Sequence, residues 1–239
     1  MKQLSFKDGI ADSLPIALGY LSVSFGVGIT ASNSGLSPFA AAMLSLFNLT
    51  SAGEAAGLSI IAAGGTYIEM AAAQLIINLR YSLMSLSLSQ KMDSSFTLFH
   101  RFTTSFAVTD EIFAAASGHT ENISCRYMYG IMTLPIAAWT AGTFLGAFAG
   151  HILPQSVNDA LGIALYSMFI AIVIPPSTKN KGILLAALSA AALSCAIYYI
   201  PAFSFVSSGF SVIICGITAA LAAAIFFPVP DDGDKESGQ

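Results

Sequence analysis

Charge is scarce in this chain. Only 9% of its 239 residues are charged and 55% are hydrophobic, whereas a soluble globular domain carries about 25% charged residues. No polar stretch is long enough to build a separate soluble domain. Neither a basic surface nor an RNA-binding signature is present, which argues against nucleic acid as a partner. The three cysteines, Cys125, Cys195 and Cys215, are scattered without CxxC or His/Cys ligand spacing, so neither a disulfide framework nor a metal site is expected. The GxxxxGKS/T loop, the GxSxG elbow and the HExxH helix are all missing, which argues against ATP binding through a P-loop and against an intramembrane hydrolase. No enzyme activity and no cofactor is expected. The polar N-terminus lacks a signal-peptide core followed by a small-residue cleavage site, so the first apolar run reads as a retained span.

In place of charge the chain has long apolar runs, at about 13–33, 38–63, 66–89, 105–117, 128–150, 159–176, 182–200 and 203–228. Most are long enough to cross about 30 Å of hydrocarbon as helix, and the alternation of barrel strands is absent. The expected fold is all-α: a polytopic transmembrane helical bundle of six to eight membrane helical elements, with broken or re-entrant segments. It is expected to form one domain over 1–230. A disordered cytoplasmic tail is expected at 231–239, where Asp231, Asp232, Asp234 and Glu236 gather. Gly26, Gly28, Gly142, Gly146 and the alanine clusters would let helix backbones approach closely in a bilayer, although such residues are also simply common in membrane spans.

Basic residues set the expected orientation. Lys2 and Lys7 precede the first run, and Lys179 and Lys181 lie between the sixth and seventh. The positive-inside rule then places both termini in the cytoplasm. Eight full spans would put Lys91 and Arg101 outside. Re-entrant or broken elements at 38–63 and 105–117 would bring them and Arg126 inside, which fits the charges better. Leu14-Pro15-Ile16-Ala17 recurs as Leu134-Pro135-Ile136-Ala137, with Gly26 and Gly146 in step. Either a duplication or chance accounts for it.

Against this apolar background stand Glu54, Glu69, Arg80, Asp110 and Glu111. An ionised side chain at a membrane helix centre costs about 2.5–3.5 kcal/mol on insertion scales, so several together point to a pocket, a relay or an ion pair. The segment Asn48-Leu49-Thr50-Ser51-Ala52-Gly53-Glu54 combines residues that can unwind a membrane helix, and such backbone survives only where protein buries it or it lines a wet cavity. It is a candidate for holding the main chain of a bound amino acid; the alternative is a Ser/Thr/Gly packing face. Glu69 and Arg80 lie about 16 Å apart on nearly one helix face and cannot pair with each other. Asn78 and Arg80 read as a polar lip; Arg80 could equally snorkel. Asp110-Glu111 sits in a run too short to span, where one acid could face the pathway and the other a cation such as Arg80 or Arg101. A carboxylate desolvated there is a candidate proton carrier, the alternative being a solvated surface turn. His100, His119 and His151 read as idle surface histidines, Trp139, Tyr127 and Tyr129 as interfacial anchors and packing residues, and Pro175-Pro176 as a helix end or kink.

The chain resembles the AzlC family of branched-chain amino acid permeases along essentially its whole length. The resemblance is carried by Leu14-Pro15-Ile16-Ala17-Leu18-Gly19-Tyr20, Thr50-Ser51-Ala52-Gly53, the run from Gln74 through Asn78-Leu79-Arg80 to Ser85, Thr109-Asp110-Glu111-Ile112-Phe113, and Met168-Phe169-Ile170-Ala171. It implies export of valine, leucine and isoleucine across a bacterial inner membrane by secondary transport, together with a small AzlD-type membrane subunit. The chain departs from the family pattern at Glu54, where Gln is common, and at Ala55, where an aromatic is frequent. The resulting expectation is alternating access around a midplane pocket. Thr50, Ser51, Gly53, Glu54, Asn78 and Arg80 would bind substrate, and Asp110, Glu111 and Glu69 would handle protons. An ATP-driven permease subunit and a scaffold or sensor without flux are the competing expectations.

Overall fold

The computed structural model describes residues 4–150, 180–203 and 205–227, with isolated positions between 152 and 178. His151, Pro175-Pro176, most of the 159–176 run and the 231–239 tail lie outside the described residues. The described chain is a helical membrane bundle. Its helices are α1 (Phe6–Asn33), α2 (Pro38–Asn48), α3 (Ser51–Ala62), α4 (Tyr67–Ser89), α5 (Leu98–Ser105), α6 (Asp110–Gly118), α7 (Cys125–Gly150), α8 (Lys181–Tyr199) and α9 (Ser208–Phe226). Four of them (α1, α7, α8 and α9) are long and apolar enough to cross a membrane by length and composition. The more polar α4 has 23 residues, about 34 Å of helix.

Local chemistry sets the helix starts. Ser5 caps α1, with the Asp8 carboxylate accepting from the Ser5 N–H at 2.8 Å. Pro38 opens α2 behind the cap of Ser37, where a missing N–H costs nothing. The second apolar run is broken rather than continuous: α2 ends at Leu49, whose φ of 48° is left-handed, and Thr50 then caps α3. A left-handed β-carbon costs about 1–2 kcal/mol, so surrounding contacts must hold this turn. Leu49 packs into the hydrophobic core and Thr50 is bonded by Tyr81, which supplies that hold.

The scaffold is the pair α1 and α7, packed side by side and parallel. Gly9 touches Gly130 and Tyr127 at one end, Gly28 touches Gly146 and Thr143 further along, and Gly150 meets Ser32 at the other end. A β-carbon on Gly28 would lie 2.1 Å from the Thr143 carbonyl oxygen, and one on Gly146 2.0 Å from that of Phe25. Only glycine permits backbones this close. The repeated Leu-Pro-Ile-Ala segments therefore fall at matching heights of two adjacent helices, with Pro15 and Pro135 both inside them.

Two half-length hairpins enter this scaffold from opposite ends. The link from α1 to α2 is short, so α2 starts where α1 finishes; its 11 residues reach only the middle of the bundle, beside Tyr20 and Trp139. From there α3 turns back along α4, with Gly53 beside Gln74 and Gly57 beside Met70. At the other end, Lys91 after α4 donates to the carbonyls of Ser117 and His119, and His119 meets Asp12 of α1 at 2.8 Å. Helix α5 rises from that same end, with Tyr129 hydrogen-bonded to His100 and Thr103. Helix α6 returns to it. The runs at 38–63 and 105–117 are thus re-entrant elements, as the charge distribution favours.

The last two helices complete the pattern. The N-terminus of α9 docks at the start of α4 through Glu69, and Phe227 returns beside Gly182 at the start of α8. Lys7, Lys91, Arg101, Arg126 and Lys181 accordingly collect at the end of the bundle where α1 begins. Arg80 is the described cation that lies in the middle.

Candidate functional site

The two hairpin tips meet around a cavity of about 420 Å³. The first tip contributes Leu49, Ser51 and Ala52; the second contributes Thr109, Asp110 and Glu111; α1 adds Pro15, Ile16, Gly19, Tyr20 and Val23, α4 adds Arg80 and Tyr81, and α7 adds Trp139. Both α3 and α6 begin at these tips, capped by Thr50 and Thr109 respectively. The first turn of a helix leaves N–H groups without internal partners, and the helix dipole adds partial positive charge there. Each tip therefore brings such a terminus to the cavity from an opposite direction.

Two bridges connect the tips around the cavity. The first is polar. Asp110 accepts from Arg80 Nη1 at 2.6 Å, with both side chains roughly half exposed toward the open space. The Arg80 guanidinium lies 4.7 Å over the Tyr81 ring and donates to the Tyr81 hydroxyl at 3.0 Å, which in turn donates to Thr50 Oγ1 at 3.3 Å. The second runs through aromatic rings. Tyr20 OH approaches Thr109 Oγ1 at 2.6 Å and donates to Glu111 Oε2 at 2.5 Å. The Tyr20 ring meets the edge of Trp139 at a centroid distance of 5.0 Å. Trp139 Nε1 donates to Glu54 Oε1 at 2.7 Å, which returns the connection to the first hairpin.

The residues singled out from sequence divide accordingly. Ser51, Arg80, Asp110 and Glu111 line the cavity, and Thr50 sits just behind its rim, 2% exposed. Gly53 and Asn78 lie one layer out: Gln74 donates to the Gly53 carbonyl at 2.7 Å and accepts from Asn78 at 3.0 Å. Glu54 is fully buried and does not reach the cavity; it is held by Trp139 and by the Ser45 hydroxyl. Glu69 lies at the far end of the bundle. It completes the cap of α4 with Thr66 and accepts from Ser207 and from the Gly209 N–H at 2.8 Å, joining α4 to α9.

Other expectations need correction. Trp139 is not an interfacial anchor: it sits midway along α7, 4% exposed, in the cavity wall. Its indole N–H needs an acceptor, which only the unforeseen partnership with Glu54 supplies. Tyr127 is buried against Asp12 rather than anchored at a surface. His100 and His119 are engaged by Tyr129 and Asp12. Tyr20 and Tyr81, which close both bridges, were not among the expected site residues. The signal that could have found Tyr20 is its place after Pro15, as the one hydroxyl-bearing ring in the first apolar run.

Comparison with known proteins follows this geometry. The family described as AzlC protein matches residues 15–153, covering α1 from Pro15 onward through α7 and hence both hairpins and the cavity. The chain is 28% identical to the inner membrane protein YgaZ of Escherichia coli over 95% of its own length and 94% of that protein's. It is also 28% identical to an uncharacterized membrane protein of Archaeoglobus fulgidus, over 73% of the chain and 77% of the relative. No solved structure matches the chain. The hairpins, the cavity between their tips and the matched segment coincide, and the chain belongs to the AzlC family of membrane proteins.

Proposed function

We propose that this protein exports branched-chain amino acids (valine, leucine and isoleucine) as a secondary transporter, through the cavity between the hairpin tips. One observation carries the reading: the cavity joins cationic, anionic and apolar groups in the combination a zwitterion with an aliphatic side chain requires. Arg80 and the N-terminal N–H groups of α3 suit a carboxylate. Glu111 and Asp110 suit an ammonium. Ile16, Val23, Leu49 and the Trp139 ring supply an apolar wall. The volume falls within the range of small-molecule sites, roughly 300–1,000 Å³.

In this mechanism the substrate carboxylate competes with Asp110 for Arg80. Freed from its partner, Asp110 takes up the ammonium or a proton, and the tips loosen toward one side. Alternating access follows, because the two hairpins close the cavity from opposite ends. The gathering of Lys7, Lys91, Arg101, Arg126 and Lys181 at one end supports placing that end, with both termini, in the cytoplasm of the cell that carries it. No catalytic chemistry and no ATP is involved. A small membrane subunit of AzlD type works beside this chain.

The test is efflux from cells loaded with leucine- or valine-containing dipeptides, with and without this protein and the small subunit. Faster release that Asp110→Asn sharply lowers is the expected result. Unchanged release, with the protein confirmed in the membrane, overturns branched-chain export. Release indifferent to an imposed pH gradient overturns the proton link alone.

A further inference from the structure

Glu54 is the most buried ionisable side chain near the cavity, yet it touches none of the open space. It is 0% exposed. Among the described residues no cation lies within ion-pair distance of it. Its two oxygens are divided between two tasks. One accepts from the indole N–H of Trp139 at 2.7 Å; the other accepts from Ser45, whose hydroxyl is 2.7 Å from that of Thr143. The single Thr143 hydroxyl hydrogen serves either the Ser45 oxygen or the Trp139 carbonyl, 3.0 Å away. This run of polar contacts joins α2, α3 and α7, and its outcome is the setting of one indole plane. The same indole forms cavity wall and packs against the Tyr20 ring at 5.0 Å between centroids.

We propose that Glu54 is a positioning residue acting through Trp139: the hydrogen bond fixes the indole as the apolar wall of the cavity and so sets which aliphatic side chains the cavity accepts. An indole released from its acceptor is free to rotate into or away from the space that Ile16, Val23 and Leu49 complete. Tyr20 moves with it, and so does the grip of Tyr20 on Thr109 and Glu111. The inference rests on the reading that this cavity takes an amino acid, and it assigns side-chain selection to a residue outside it. It also specifies what the position requires. An amide meets the need as well as a carboxylate: glutamine would accept from Trp139 with its oxygen and donate to Ser45, which would then donate to Thr143. An apolar side chain of similar size, such as methionine, leaves the indole N–H without an acceptor.

Trp139 is the chain's single tryptophan, so the purified full-length protein in lipid nanodiscs reports its own cavity wall by fluorescence. Glu54→Gln is expected to keep the emission maximum of the unaltered protein and Glu54→Met to shift it. Titration with leucine and with alanine, read by the same emission, then gives discrimination. In Glu54→Met the preference for leucine over alanine is expected to fall about tenfold, the scale on which apolar pockets resolve side-chain size, with glutamine preserving it. Emission and preference both unchanged in Glu54→Met overturn the proposal; so does Glu54→Gln behaving like Glu54→Met, since the charge and not the acceptor would then matter. If no amino acid perturbs Trp139 in the unaltered protein, the reading of the substrate fails, while the unliganded emission comparison still decides the positioning. If Glu54→Met does not accumulate, Ser45→Ala withdraws the partner of the other Glu54 oxygen and leaves every cavity-lining side chain in place. Efflux selectivity of that variant must then broaden, and an unaltered selectivity overturns the proposal.

Discussion

The Asp110 carboxylate accepts from Arg80 at 2.6 Å, tying the tip of one hairpin to the full-length helix against which the other hairpin packs. Arg80 also stacks on Tyr81 and donates to its hydroxyl. A point charge cannot reproduce this fork and stack. Arg80→Lys is therefore expected to lower efflux about 10-fold or more, on the scale of one lost charge-assisted hydrogen bond. Exchanging the pair, Arg80→Asp with Asp110→Arg, is expected not to restore it, because the stack on Tyr81 is not rebuilt. Efflux rates in the two variants, normalised to membrane content, decide the matter.

Tyr20→Phe removes a hydroxyl shared between Thr109 and Glu111 while keeping the ring edge on Trp139. Thr109 loses a part-buried contact and Glu111 an exposed one, at a cost of about 0.5–1.5 kcal/mol. A lower thermal midpoint in nanodiscs and a raised half-saturating substrate concentration are expected together. A lower midpoint with unaltered saturation would separate the tyrosine from the site.

Gly28 and Gly146 set the distance between α1 and α7. Gly28→Ala places a methyl group against the Thr143 carbonyl oxygen, where backbone and not a flexible side chain must give way. Overpacking of this kind costs about 1–3 kcal/mol. A fall in thermal midpoint is expected, and Gly19→Ala, in open space on the same helix, is expected to leave the midpoint unchanged.

Glu69 and Asp110 are both acids in apolar runs, and they are expected to part in their pH behaviour. Glu69 holds two helix starts, so Glu69→Gln is expected to lower stability while the pH profile of efflux keeps its shape. Asp110 lines the cavity, so Asp110→Asn is expected to flatten that profile. Parallel pH–rate curves for both variants would undo the distinction.

The architecture was legible where a single residue type dictates a local outcome. The Asn48–Glu54 break could be read because Thr and Ser compete with helix backbone, and the short run that holds Asp110 and Glu111 could be read from its length alone. The positions of Lys91 and Arg101 then favoured hairpins over full spans. What sequence could not supply was partnership. Glu54 and Trp139 are far apart in the chain and meet only because α1 and α7 hold the first hairpin against them. Glu69 looked like a lone acid in a membrane run because the helix it caps, α9, lies more than half the chain away. Nothing local distinguishes a carboxylate that lines a cavity from one that is held by hydrogen bonds behind it.

Opposed half-length hairpins have an electrical consequence. Where each hairpin leaves room for water beside it, most of the distance across the bilayer is already conducting, and the membrane voltage falls over the short stretch between the tips. Moving one elementary charge through 100 mV is worth about 2.3 kcal/mol, and here nearly all of that work would be done within the span from Thr50 to Thr109. Arg80, Asp110 and Glu111 sit inside this stretch. Any exchange of charge among them is felt by the full field across the membrane, so turnover should steepen with voltage out of proportion to how little the tips have to move.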